Sequence, residues 1–91
     1  MTSEKAKMLA GEPYDPTDPE LEAERERARK LTREYNRTAP DEDGRRRELL
    51  EELLGSCGEA CTVEPSFRCD YGSNVHVGED FFANFDCVFL D

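Results

Sequence analysis

From Cys69 to Asp91 the apolar residues fall into two columns when the chain is written in sixes. Cys69, Val75, Phe81 and Cys87 form one column, and Tyr71, Val77, Ala83 and Phe89 the other. Members of the two columns lie two residues apart, so on an extended backbone both point to the same side. A straight strand would carry that alternation on. Here it resets at every six, with Gly72, Gly78 and the polar Ser73, Asn74, Glu79 and Asp80 between the apolar pairs. Short strand, turn and short strand at a fixed short period is the pattern of a solenoid, and a β-helix of hexapeptide repeats is the specific candidate. A short strand followed by irregular loops is the alternative, because the sixes amount to little more than one coil. Asp70, His76, Phe82 and Val88 stand in the column between the inward pairs and are expected to point outward. Cys69 and Cys87, eighteen residues apart, are expected to stack as buried thiols at one strand spacing, about 4.8 Å.

The residues before the sixes are helical in character, which makes the chain α+β. Ser3 can cap a short helix from Glu4 to Ala10, closed by Gly11, with Met8 and Leu9 as its buried contacts. Residues 12–19 form a loop punctuated by Pro13, Pro16 and Pro19 and carrying Tyr14, Asp15 and Asp18. A lone aromatic in such a loop is an anchor or one wall of a site. Asp18-Pro19 starts a second helix, with a capping side chain followed by proline at the first helical position. It should run to Asn36 or Arg37, with Leu21, Ala28, Leu31 and Tyr35 on its inner side. The rest of that helix is mostly Glu and Arg, a solvated face of pairs such as Glu22 and Glu26 against Arg25 and Arg29. Beyond Pro40, Asp41 or Asp43 can cap a third helix, which carries Leu49, Leu50, Leu53 and Leu54 and stops at Gly55. β-Branched and aromatic residues then take over. The division is expected near Gly58, with a helical domain at 1–58 and repeats at 59–91.

Twelve basic residues stand against 22 acidic ones, a net charge of −10. That balance argues against nucleic acid, whose phosphates need clustered Lys and Arg, and against an anionic membrane surface. No stretch approaches the ~18 apolar residues of a membrane-spanning helix, and the first apolar run, residues 6–10, is interrupted by Lys7. The expectation is a soluble, cytoplasmic chain. In that setting Cys57, Cys61, Cys69 and Cys87 read as reduced thiols. None forms a C-x-x-C and the single histidine, His76, lies outside ligand spacing, so no metal site is expected.

With helices before and sixes after, the run Glu64-Pro65-Ser66-Phe67-Arg68-Cys69-Asp70-Tyr71-Gly72-Ser73-Asn74-Val75-His76-Val77-Gly78, then Phe81-Phe82-Ala83-Asn84-Phe85-Asp86-Cys87, resembles the maltose and galactoside O-acetyltransferases. So do Glu4-Lys5-x-Lys7-Met8-x-Ala10-Gly11-Glu12-x-Tyr14 and Arg33-x-Tyr35-Asn36. The resemblance covers the whole chain. It implies a left-handed parallel β-helix behind a small helical domain, a homotrimer, and acetyl-CoA bound between neighbouring coils. It implies that a histidine deprotonates a sugar hydroxyl, which attacks the thioester; a base for that step must be poised near neutral pH. That histidine is expected beyond Asp91, as are most of the repeats and of the cofactor site, and His76 does not match it. No catalytic residue is therefore expected in this chain, which resembles the N-terminal half of such an enzyme and should be inactive alone. Asn84 matches an acceptor-side residue. Asp70, where the galactoside branch has serine, and Phe82, where it has tyrosine, lean toward the maltose branch. Tyr14, Asp15 and Asp18 are further candidates for the acceptor. Two other readings compete: a non-catalytic module docking on a larger partner through its helices and open β edge, and a small Cys-based metal-binding protein.

Overall fold

The computed structural model describes residues 2–91, as three helices followed by six short strands. Helix α1 spans Glu4–Leu9, with the Ser3 hydroxyl accepting from the Ala6 amide as cap. Gly11 follows at φ +77°, in the left-handed region that glycine tolerates. No residue of α1 is buried, and Leu9 is 59% exposed. This corrects the expectation that Met8 and Leu9 are core contacts. Polar groups hold α1 in place instead, since Lys5 pairs with Glu24 of the next helix at 2.6 Å.

Helix α2 runs from Pro19 to Asn36, and the Asp18 carboxylate accepts from the Glu20 amide. Leu21, Ala28, Leu31, Thr32 and Tyr35 are its buried residues. Helix α3, Asp43–Leu53, has Glu42 at its N-cap and no capping side-chain bond there, so neither Asp41 nor Asp43 caps it. The Glu42 carboxylate turns back to the Ala39 amide across the preceding turn. Leu49, Leu50, Leu53 and Leu54 are all buried, as their stripe requires.

The strands are β1 Ser56–Cys57, β2 Thr62–Val63, β3 Phe67–Cys69, β4 His76–Val77, β5 Phe82–Ala83 and β6 Cys87–Phe89. They form three parallel pairs, β1 with β4, β2 with β5 and β3 with β6. Ser56 faces His76, Thr62 faces Phe82 and Phe67 faces Cys87, each partner twenty residues further on. The chain thus circles through three strands and returns to lie beside itself, making two turns. The first turn opens at Ser56, before the strongly periodic stretch begins.

The period of six holds only in part. Successive strands start at 56, 62, 67, 76, 82 and 87, so the legs of a turn are six, five and nine residues long. Cys69 consequently pairs with Phe89, and Cys87 with Phe67. The stack of Cys69 on Cys87 expected from their spacing does not form. The long leg is residues 67–75, and its loop, 70–75, folds over Gly72 at φ +79°. The Asp91 carboxylate pins it by accepting from the Tyr71 and Asn74 amides at 3.0 and 3.2 Å.

The two columns nevertheless face inward. Tyr71 and Ala83 are buried, and Cys69, Val75, Val77, Phe81, Cys87 and Phe89 pack half-buried around the core. One apolar cluster joins Ala28, Leu31 and Tyr35 of α2 and Leu49, Leu50 and Leu53 of α3 to Val63, Phe67 and Ala83 of the strands. Tyr35 meets Phe67 edge-on, with ring centroids 5.1 Å apart, and Phe67 in turn meets Phe89 at 6.2 Å. Helices and coil therefore share one core.

Candidate functional site

The six candidate residues fall into two groups on an open surface. The first is the loop before α2. Tyr14 is 40% exposed, Asp15 is exposed and Asp18 half-buried. Asp15 is committed locally, its Oδ1 accepting from the Thr17 amide and hydroxyl at 2.9 and 2.7 Å. Those bonds hold its carboxyl below the usual range. Its own amide donates to Glu4, whose carboxyl is lowered chiefly by Lys7 and then by that amide. Asp18 is committed too, as the cap of α2.

A single arginine ties this loop to the coil. Arg25 Nη2 donates to the Pro16 carbonyl at 2.6 Å, and Nη1 to the Tyr71 hydroxyl at 3.0 Å. Its guanidinium also lies 5.9 Å from the centre of the Tyr71 ring, within cation–π range. The bond to Tyr71 is the main cause of its raised pKa, with the charges of Glu22 and Asp70 adding to it. Arg25 thus brings the 12–18 loop and the Asp70-Tyr71 corner together. The Glu22–Arg25 surface pair expected from sequence is replaced by this bridge. The helical pattern held a signal for it: Arg25 falls four residues after Leu21 and three before Ala28, inside the buried stripe, where a solvated arginine has no place.

The second group lies on the other turn. Phe82 stands outward on β5, 60% exposed, across from Thr62. Asn84 follows at the corner before β6, exposed, its Oδ1 accepting from the Phe85 amide at 2.8 Å. That bond fixes the amide plane and leaves Nδ2 to donate outward. Within one chain no hydrogen bond or ion pair joins Asn84 or Phe82 to Asp70 or the 12–18 loop among the described residues. His76 is exposed on β4 and shares a 2.8 Å hydrogen bond with the Ser56 hydroxyl across the β1–β4 pair.

The sequence places Tyr35 on the inner side of α2, where it is buried, and gives Asn36 no role beyond its motif. The Tyr35 hydroxyl donates to the Val63 carbonyl at 2.6 Å, and burial keeps that phenol protonated by raising its pKa. The Asn36 side chain both donates to the Phe67 carbonyl and accepts from the Phe67 amide, each at 3.0 Å. It pairs with β3 as a neighbouring strand would.

All four cysteines are free thiols. Burial, reinforced by the Asp91 and Asp70 carboxylates, pushes Cys69 up to about 12. Since the thiolate is the reactive form, at pH 8 Cys69 should be alkylated more than about a hundredfold more slowly than an unperturbed thiol of pKa about 8.5. Peptide mass spectrometry over a labelling time course measures this, and fast labelling of Cys69 in the native chain would contradict it. The sign for stability follows. Keeping this thiol protonated contributes fully below about pH 8.5 and is lost as pH rises toward about 12.

Comparison with known proteins sets these features in context. The family model described as the maltose acetyltransferase hexapeptide capping motif matches residues 7–58. Nodulation protein L of Rhizobium leguminosarum bv. viciae is 43% identical over 89 residues, 98% of this chain and 47% of its own length. The crystal structure of a maltose O-acetyltransferase from Clostridium difficile 630 superposes with a TM-score of 0.96 at 53% identity, covering 98% of this chain and 48% of that one. A galactoside acetyltransferase in complex with coenzyme A superposes at 0.91 with 32% identity, over 46% of its length. The chain spans about half the length of these relatives, corresponding to their N-terminal half. No helix among the described residues is long and apolar enough to cross a membrane. With more than half of its residues matched by the family model, the chain belongs to the maltose acetyltransferase hexapeptide capping-motif family.

Proposed function

We propose that this chain is the N-terminal portion of a cytoplasmic sugar O-acetyltransferase, one that moves acetyl from acetyl-CoA to a hydroxyl of maltose, glucose or a related sugar. The observation that carries this reading is the 0.96 superposition, at 53% identity, on a maltose O-acetyltransferase. In the same reading the two turns begin a left-handed parallel β-helix that three subunits assemble around. Residues 1–58 act as its helical domain and 59–91 as its first repeats, although β1 and the shared core tie the two closely. The acetyl donor binds mainly to residues outside this chain, and the proton-accepting histidine lies there too.

What these ninety-one residues contribute is the acceptor side. Asn84 offers an oriented amide donor, because its Oδ1 is held by the Phe85 amide. Asp70 offers a carboxylate beside the Arg25 bridge, positioned to accept from a sugar hydroxyl. Phe82 presents an exposed apolar ring against which a sugar face can pack. Tyr14, Asp15 and Asp18 form the opposite wall, held in place through Pro16 by Arg25. As Asp70 and Asn84 lie at different corners of the coil, a trimer supplies the geometry in which neighbouring subunits complete one cleft.

The test joins the chain in frame to the second half of the Clostridium difficile relative and follows coenzyme A release with maltose and with glucose. The hybrid is expected to transfer acetyl and the ninety-one-residue chain alone to be inactive. Asn84→Ala and Asp70→Ala should each lower kcat/KM about tenfold or more, the worth of one hydrogen bond to a sugar hydroxyl. A folded trimeric hybrid that transfers no acetyl to either sugar would sink the reading. Full activity in both variants would remove these two residues from the acceptor site.

A further inference from the structure

Nine of the twelve basic residues are arginine, in a chain of net charge −10. The structure sorts them into two sets. Arg25, Arg27, Arg45, Arg46 and Arg47 each donate to a carboxylate, a hydroxyl or a carbonyl. The side chains of Arg29, Arg33, Arg37 and Arg68 make no hydrogen bond or ion pair among the described residues. Those four line one cleft of about 450 Å³, together with Thr32, Asn36 and Ser66, and no carboxylate lines it.

Ordinary causes account for only part of this. Arginines at the end of a helix complement its dipole, which covers Arg33 and Arg37 at the end of α2. The effect fades within a turn, so it does not reach Arg29, and Arg68 enters from β3 on the other wall. Positions 29, 33 and 37 are four apart, so like charges stand one above another on a single ridge, which is mildly unfavourable in itself. The two walls are also fixed relative to each other. Asn36, at the base of the α2 wall, is clamped to Phe67, next to Ser66 and Arg68, by its two hydrogen bonds. Four arginines therefore line one preformed space with their guanidinium donors uncommitted.

We propose that this cleft binds a phosphorylated small molecule, with the phosphoryl oxygens held by Arg29, Arg33, Arg37 and Arg68. Guanidinium forks suit phosphate and carboxylate alike. Charge decides between them: a phosphate monoester carries about −1.5 to −2 and three strong acceptor oxygens, where a carboxylate carries one charge. The volume lies in the range of small-molecule sites, roughly 300–1,000 Å³, leaving room for an organic group beyond the phosphate. The inference stands on this chain's own arginines and is independent of the acetyl-transfer reading.

The experiment is calorimetric titration of the ninety-one-residue chain at low salt with inorganic pyrophosphate, coenzyme A and citrate. Pyrophosphate is expected to bind saturably at one site. Arg33→Gln and Arg68→Gln should each weaken it about tenfold, the scale of one charge-assisted hydrogen bond. Arg45→Gln makes the same change in net charge away from the cleft and should leave binding unchanged, and circular dichroism confirms that each variant is folded. Coenzyme A bound as tightly, and lost in the same variants, would identify the acetyl donor's phosphates as the source. Pyrophosphate bound without coenzyme A would point to a separate phosphorylated metabolite. Either result supports the site. Absence of saturable pyrophosphate binding overturns it, as does equal weakening by Arg45→Gln, or citrate binding more tightly than pyrophosphate. Self-association abolished by Arg33→Gln, with no phosphate bound, would make the cleft an interface between copies and overturn the proposal as well.

Discussion

Gly72→Ala should destabilise the chain by about 2–4 kcal/mol, lowering Tm by roughly 10–25 °C for a domain of this size. Two separate effects add. Gly72 sits at φ +79°, where an L side chain costs about 1–2 kcal/mol. A Cβ there would also lie 2.6 Å from Leu53 Cδ1 and 2.7 Å from the Leu53 carbonyl oxygen. Neither neighbour can give way easily, because Leu53 is 1% exposed in the core and the oxygen belongs to the end of α3. The Gly72 carbonyl meanwhile accepts from the Gly55 and Val75 amides, so displacing residue 72 would also disturb the start of β1 and the close of the long leg. Gly78→Ala is the control, since nothing lies within 4 Å of its added Cβ, and it should be close to neutral. Calorimetric melts of the two variants side by side decide the matter. A Gly72→Ala protein melting with the parent would mean that the 70–75 loop is far looser than its hydrogen bonds imply.

The second large effect is expected at Asn36. Replacement by alanine orphans both the amide and the carbonyl of Phe67, a residue 1% exposed. Each buried unsatisfied group costs about 1–3 kcal/mol, so the loss should be about 2–6 kcal/mol. Asn36→Asp keeps an acceptor for the Phe67 amide but no donor for its carbonyl, and should fall between parent and alanine variant. Amide hydrogen exchange at Phe67 separates this account from a general loosening. Protection should collapse in Asn36→Ala and survive in Asn36→Asp, while amides in α3 keep their relative order. If Phe67 stays protected in the alanine variant, the Asn36 pairing is incidental.

Local chemistry made much of the fold legible. Asp18-Pro19 and the spacing of Leu21, Ala28, Leu31 and Tyr35 gave α2 its start, its buried side and its end, because capping and helical periodicity act within a few residues. The leucine stripe of α3 was legible for the same reason, and its cap was not: Asp41 and Asp43 were both good candidates, and the turn placed Glu42 at the cap. The turn length of the coil lay further out of reach. Columns at a spacing of six concealed legs of six, five and nine, because inward positions can be kept in phase while a loop takes up extra residues. What permits the nine-residue leg is remote in sequence, an Asp91 carboxylate reaching back to the Tyr71 and Asn74 amides. At the candidate site, residue types pointed to Asp70, Asn84 and the 12–18 loop, while Arg25 was absorbed into a run of surface charge. Only its two acceptors, Pro16 and Tyr71, reveal it as the link between loop and coil.

The clamp of α2 on the strands has an evolutionary corollary. The hydrogen bonds by which Tyr35 and Asn36 hold Val63 and Phe67 go to main-chain oxygen and nitrogen, groups that every residue except proline offers in full. Mutations at the outward side chains of β2 and β3 can therefore accumulate without loosening that grip. Selection is left free to rewrite what the coil displays while the helices stay fastened to it. Such a cap is portable within that limit: the same two side chains could seat this helical pair on other strands, provided the backbone follows the same path and the inward positions stay apolar.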